Sequence, residues 1–139
     1  MNLAKRAGVL IALLATIIAA APPALADQLS ISCSVKGHNF NGWAYYTDAG
    51  SAHQWTSFQY ELGGATTGGS SNVRLWVHDG PDVPYWNHSP DTLDNGQIYT
   101  VTPPWAVYTA MASLEWVLFQ AVFDISGPDP NCGAHTYNI

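Results

Sequence analysis

The sequence predicts an all-β fold: an antiparallel β-sandwich of about seven strands with immunoglobulin-like proportions. Three observations predict it. Short segments that alternate apolar and polar residues recur along the chain, clusters of Gly, Pro, Asn and Asp separate them, and no strand-helix-strand rhythm appears. Cysteine use fits the same picture, because Cys33 and Cys132 are the only two and have a single possible connectivity. Their bridge would close almost the whole body of the domain by its ends. An antibody domain instead ties two middle strands around a Trp.

Residues 1–26 read as a secretory signal peptide. Lys5 and Arg6 form a positive start, residues 9–21 an apolar run, and Ala24-Leu25-Ala26 a cleavage site. The run is too short for a comfortable membrane span, so no stable membrane insertion is expected after cleavage. Removing 26 of the 139 residues leaves 113, residues 27–139, enough for a single self-supporting domain. Export to an oxidising, extracellular setting makes the Cys33–Cys132 disulfide the expected state.

Within that body, residues 28–36 alternate, with Leu29, Ile31, Cys33 and Val35 on one face and Ser30, Ser32 and Ser34 on the other. Residues 42–47 have strand composition, with Trp43, Tyr45 and Tyr46. Residues 54–62 alternate again and place Phe58, Tyr60 and Leu62 inward. A Gly-rich connection follows at 63–71, then a strand at 72–78 with Val73, Leu75 and Val77 facing Arg74, Trp76 and His78 across the chain. Residues 79–96 contain three prolines, four aspartates and a closing Asn95-Gly96, and read as one long loop. A short strand is expected at 97–102.

Residues 105–114 carry mixed signals. Thr102-Pro103 resembles a helix start and the alanines tolerate a helix, which would make the fold α+β. Val107, Tyr108 and Thr109 favour the strand that is preferred here. Residues 115–124 are apolar at nearly every position, as in a central strand covered on both sides. Gly127-Pro128-Asp129-Pro130 ends that run, and 132–139 forms the last strand.

Charge narrows the partners. Lys36 and Arg74 are the only cations beyond residue 26, against ten acids, a formal −8. Two cations cannot neutralise a row of phosphates, so nucleic acid is not an expected partner. No Gly-x-Ser-x-Gly, His-Glu-x-x-His or phosphate-binding Gly loop is present, and a non-enzyme is expected.

The expected function is a secreted binding module for a glycan or an extracellular protein, with its contacts in the long loop. Tyr85, Trp86, Asn87 and His88 offer rings for stacking beside an amide and an imidazole, and Trp76 offers a further ring on a strand face. Alternatives are a structural or assembly protein of a cell envelope or matrix, and a module stabilised by calcium on Asp79, Asp82, Asp91 and Asp94. The oligomeric state is not legible in the sequence.

Overall fold

The computed structural model describes residues 26–64, 70–80, 84–111 and 115–137. The expected signal peptide up to residue 25, most of the Gly-rich connection, Asp82 and residues 112–114 lie outside them. The described residues form ten strands and no helix. They are β1 (Asp27–Val35), β2 (His38–Ala49), β3 (Ala52–Gly64), β4 (Ser70–Asp79), β5 (Pro84–His88), β6 (Asp91–Leu93), β7 (Ile98–Val101), β8 (Val107–Ala110), β9 (Glu115–Val122) and β10 (Asn131–Tyr137). Two antiparallel sheets result. Sheet A runs β1-β2-β3 and then β7 and β8, both paired to β3. Sheet B runs β10-β9-β4 and then β5 and β6, both paired to β4.

The count exceeds seven chiefly because residues 79–96 are not one loop. Pro84 opens β5, and Pro90 falls between β5 and β6, so neither removes a donor from a central ladder. Pro90 even continues the pairing, since its carbonyl accepts the Val73 N–H at 3.1 Å. The segment around residue 107 is a strand, and its β-branched Val107 and Thr109 point inward, fully buried.

Alternation decides which side chains meet. Phe40, Ala44, Phe58 and Leu62 of sheet A face Val73, Leu75, Val77, Phe119 and Ala121 of sheet B, all with no exposed surface. The inward parity of β3 changes once. Tyr45 pairs with Ser57 but Tyr46 pairs with Trp55, so Thr56 is an extra residue. That bulge turns His53 and Trp55 inward on one side of it and Phe58 and Tyr60 on the other. β3 also changes partner there, from β8 (Ala52 to Trp55) to β7 (Phe58 to Glu61).

Gly42 is needed for space. A Cβ at that position would overlap the Phe119 ring, so the missing side chain on β2 makes room for the buried phenyl ring of β9. Lys36 and Gly37 take φ of 49° and 82°, a two-residue turn that joins β1 to β2 with the hand their twist requires.

Cys33 and Cys132 are bonded, with Cα atoms 5.9 Å apart at a sequence separation of 99. β1 and β10 are the edges of opposite sheets, so the bridge closes one side of the sandwich. Both cysteines are half-buried against the core.

Two outcomes are expected from these contacts. Replacing both cysteines by serine should cost about 4.7 kcal/mol, the chain-entropy value for a loop of about 100 residues. Urea unfolding at an unchanged midpoint would show that the bridge does not hold the edges. Gly42→Ala should cost about 1–3 kcal/mol through overpacking, and adding Phe119→Leu should recover part of that loss in the same measurement.

Candidate functional site

The six tryptophans sort by environment. Trp55 and Trp86 are buried, Trp43, Trp76 and Trp116 half-buried, and Trp105 exposed. This sorting corrects the expected aromatic loop. Trp86 is 3% exposed and stacks on Phe58 of the other sheet with ring centroids 4.6 Å apart. It is core, placed there because β5 pairs Trp86 with the inward Val77. His88 also lies on the inward side, opposite Leu75 and stacked over Trp86 at 6.1 Å, and burial lowers its pKa. Tyr85 lies in β5, with its side chain outside the described residues. Asn87 is the member of the group that faces out, exposed and opposite Trp76.

Trp76 belongs to a different constellation. On the outer face of sheet B, the registers align side chains in cross-strand rows. Asn87, Trp76, Leu118 and His135 form one row; His78 and Trp116 form the adjacent row. The rings touch. His78 stacks face to face on Trp116 with centroids 3.5 Å apart and planes 11° apart, Trp76 tilts toward His78 at 6.0 Å, and His135 meets Trp116 at 4.7 Å. Trp76 Nε1 donates to Ser89 Oγ at 3.4 Å.

Next along the strands comes the row Arg74, Gln120, Gly133, in which Arg74 Nη1 donates to Gln120 Oε1 at 3.0 Å. A Cβ on Gly133 would run into the Phe119 carbonyl and Gln120 backbone, so this row ends without a side chain. A shallow concavity of about 340 Å³ lies there, lined by Leu118, Gln120, Asn131, Gly133, Ala134 and His135. Rings for stacking thus border a recess edged with amides and an imidazole. Such a surface suits a ligand with apolar faces and hydroxyl rims.

The outer face of sheet A differs. Its polar groups satisfy one another: Tyr45 Oη donates to Gln59 Oε1 (3.0 Å), Gln59 Nε2 to Thr100 Oγ1 (3.3 Å) and Asn41 Nδ2 to Glu61 Oε2 (3.1 Å). A second concavity, of about 360 Å³, lies under the exposed Trp105 and is bordered by Gln54, Thr56 and Thr102. It offers a single accessible ring.

Two acid–histidine clusters sit inside the sandwich. At one end, His53 Nδ1 lies 2.6 Å from Glu115 Oε1, Thr109 Oγ1 donates to Glu115 Oε2, and Trp55 Nε1 donates to Thr109 Oγ1 at 2.8 Å. The types invite a catalytic reading, but Glu115, Thr109 and His53 are at most 5% exposed. They join β3 and β8 to β9, and the other ring nitrogen of His53, Nε2, lies 3.4 Å from Oδ1 of the exposed Asp48. At the other end, His38 Nδ1 lies 3.0 Å from Asp94 Oδ2, also buried.

Of the four calcium candidates, the three that are described stand apart from one another. Asp94 is committed to His38, and Asp91 accepts from Asn72 Nδ2 at the start of β4. Asp79 is at the far end of β4, seven residues and about 23 Å away at strand rise. Asp82 lies outside the described residues. Among the described residues, no group of three or more His, Cys, Asp or Glu is placed to hold a metal.

Trp116 and His135 were not singled out by the sequence. Strand 115–124 is apolar on both faces, which hides its period. The available signal was the spacing Trp116, Leu118, Gln120, two apart with a terminal amide. The chain matches no family model, no curated protein and no solved structure. Its class is therefore the one its own architecture defines, a disulfide-closed antiparallel β-sandwich.

His78 supplies a pH prediction. It is 4% exposed, and neither ring nitrogen has a hydrogen-bond partner. Burial, then the positive charge His135 can carry, hold its pKa below the usual histidine value. As pH falls past about 6.5, the unfolded chain takes up a proton that folded His78 refuses, so stability drops toward the lowered folded value and is retained above 6.5. His78→Phe should flatten that fall. Urea midpoints measured from pH 7.5 to 5 would refute the assignment if both proteins lose stability in parallel.

Proposed function

We propose that this protein is an exported, non-catalytic binding module that takes a glycan on the outer face of sheet B. One observation carries the reading: the half-buried indoles Trp76 and Trp116, linked through the buried His78 and flanked by His135, are bordered by Asn87, Gln120 and Asn131 and open on the concavity at Gly133. Pyranose rings have apolar faces that stack on indoles and hydroxyl edges that bond to amides. Both partners occur side by side here.

Export is supported by the Ala24-Leu25-Ala26 site and by the oxidised Cys33–Cys132 pair. Only Lys36 and Arg74 are basic beyond residue 26, too few to neutralise a row of phosphates, which disfavours nucleic acid as the ligand. The half-buried state of both indoles favours a glycan over a large protein interface. Their edges are already seated, so docking costs little side-chain entropy while adding limited new area.

Insoluble-polysaccharide pull-downs and a glycan array test the proposal. Trp76→Ala should weaken binding about tenfold, equivalent to about 1.4 kcal/mol, with a melting temperature near wild type. Trp86→Ala should instead lose about 3–5 kcal/mol of stability as a core truncation. Wild-type protein that retains no glycan, or a Trp76→Ala protein that binds as well as wild type, would remove the sheet B face from this role.

A further inference from the structure

We infer that the glycan is acidic, a chain of uronic acid residues, and that Arg74 pairs with its carboxylate; this rests on the glycan reading above. The chain carries ten acids against four bases, yet in the rows of sheet B's outer face that hold the rings and Arg74, the arginine is the one formally charged side chain among the described residues. The rows of this face run through Arg74, Trp76 and His78 on β4, Trp116, Leu118 and Gln120 on β9, and Asn131, Gly133 and His135 on β10. No carboxylate stands in the rows of Arg74, Trp76 and His78. The row next to that of Arg74, through Asn131, Val122 and Asn72, ends on Asp91, whose carboxylate accepts from the Asn72 amide.

Arg74 is exposed, and among the described residues it makes no ion pair. In a domain with so many acids, a cation left without one is a cation held for something else. Its side chain bonds to Gln120, whose side chain also lines the concavity. That bond fixes the guanidinium beside the recess and leaves its remaining N–H groups free. A planar guanidinium meets a carboxylate through two parallel hydrogen bonds, which a neutral sugar hydroxymethyl cannot offer.

Geometry joins this group to the stacking rings. Arg74 and Trp76 are two residues apart on one face of β4, about 7 Å along the strand. A sugar ring on the indole therefore places its substituents, or those of the next ring, over Arg74 and Gln120. Gly133 keeps the far side of that row open. Elsewhere the acidic surface repels the same polymer, so attraction is confined to this face and gives orientation as well as affinity.

The test uses polygalacturonate, its neutral methyl ester and alginate, with affinity electrophoresis and calorimetry at two salt concentrations. Wild type should bind both acidic polymers at least tenfold more tightly than the ester at about 20 mM salt, and the preference should shrink near 200 mM. Arg74→Gln should abolish the preference while leaving ester binding and melting temperature unchanged, and Arg74→Lys should restore part of it. Equal binding of acid and ester by wild type, or an Arg74→Gln protein that keeps the preference, overturns the inference and leaves the glycan reading standing. Failure to bind any of these polymers or any arrayed glycan overturns both.

Discussion

A β-sandwich persists only while its two sheets stay face to face, and in this protein that constraint is met by ties across the gap at its margins. The disulfide joins the edges β1 and β10. Glu115 reaches from sheet B to His53 and Thr109 of sheet A at one end, and Asp94 reaches His38 at the other. Between them the filling is almost wholly apolar, with Phe119 seated over Gly42. A buried carboxylate costs several kcal/mol unless it is met by donors, so each pair is tolerable only when the sheets are in register. Such groups act as keys for alignment more than as sources of stability. A slip by one residue would strand Glu115 without His53.

Because the ties and the core occupy the inner faces, the outer faces are left to differ. On sheet A, amides, hydroxyls and a carboxylate bond to one another and form a closed surface layer. On sheet B the corresponding positions hold rings, a cation with no acid and a recess. This asymmetry is what separates a candidate site from ordinary surface. The buried His53 cluster illustrates the converse: residue types familiar from catalysis serve as internal joinery once they are sealed from solvent.

Much of the frame was legible in the sequence. Strict alternation at Leu29 to Val35 and Val73 to Val77 named both strands and their inward faces, and two cysteines left one pairing. What was not legible depended on contacts between distant segments. Thr56 gives no local sign of being an extra residue, since the bulge exists only relative to Tyr45 and Tyr46. Prolines concealed β5 and β6, because a proline is excluded from central ladders but not from a strand start or a gap between edge strands. The site suffered most. Trp86, in a Pro-rich stretch, looked like a loop tip but is drawn inward by pairing with Val77. Trp116, in an apolar run, looked like core but faces outward.

Gly133 has a longer-term consequence. Its missing side chain is imposed by the approach of the β9 backbone, so a side chain at this position is removed by its effect on folding before its effect on binding is ever felt. The hollow is thereby protected from mutational drift. Gln120, Asn131 and His135 around it are under no such restraint, being half-exposed or exposed. A lineage carrying this scaffold can revise the rim of the hollow residue by residue, and so its choice of ligand, while the hollow itself is inherited intact.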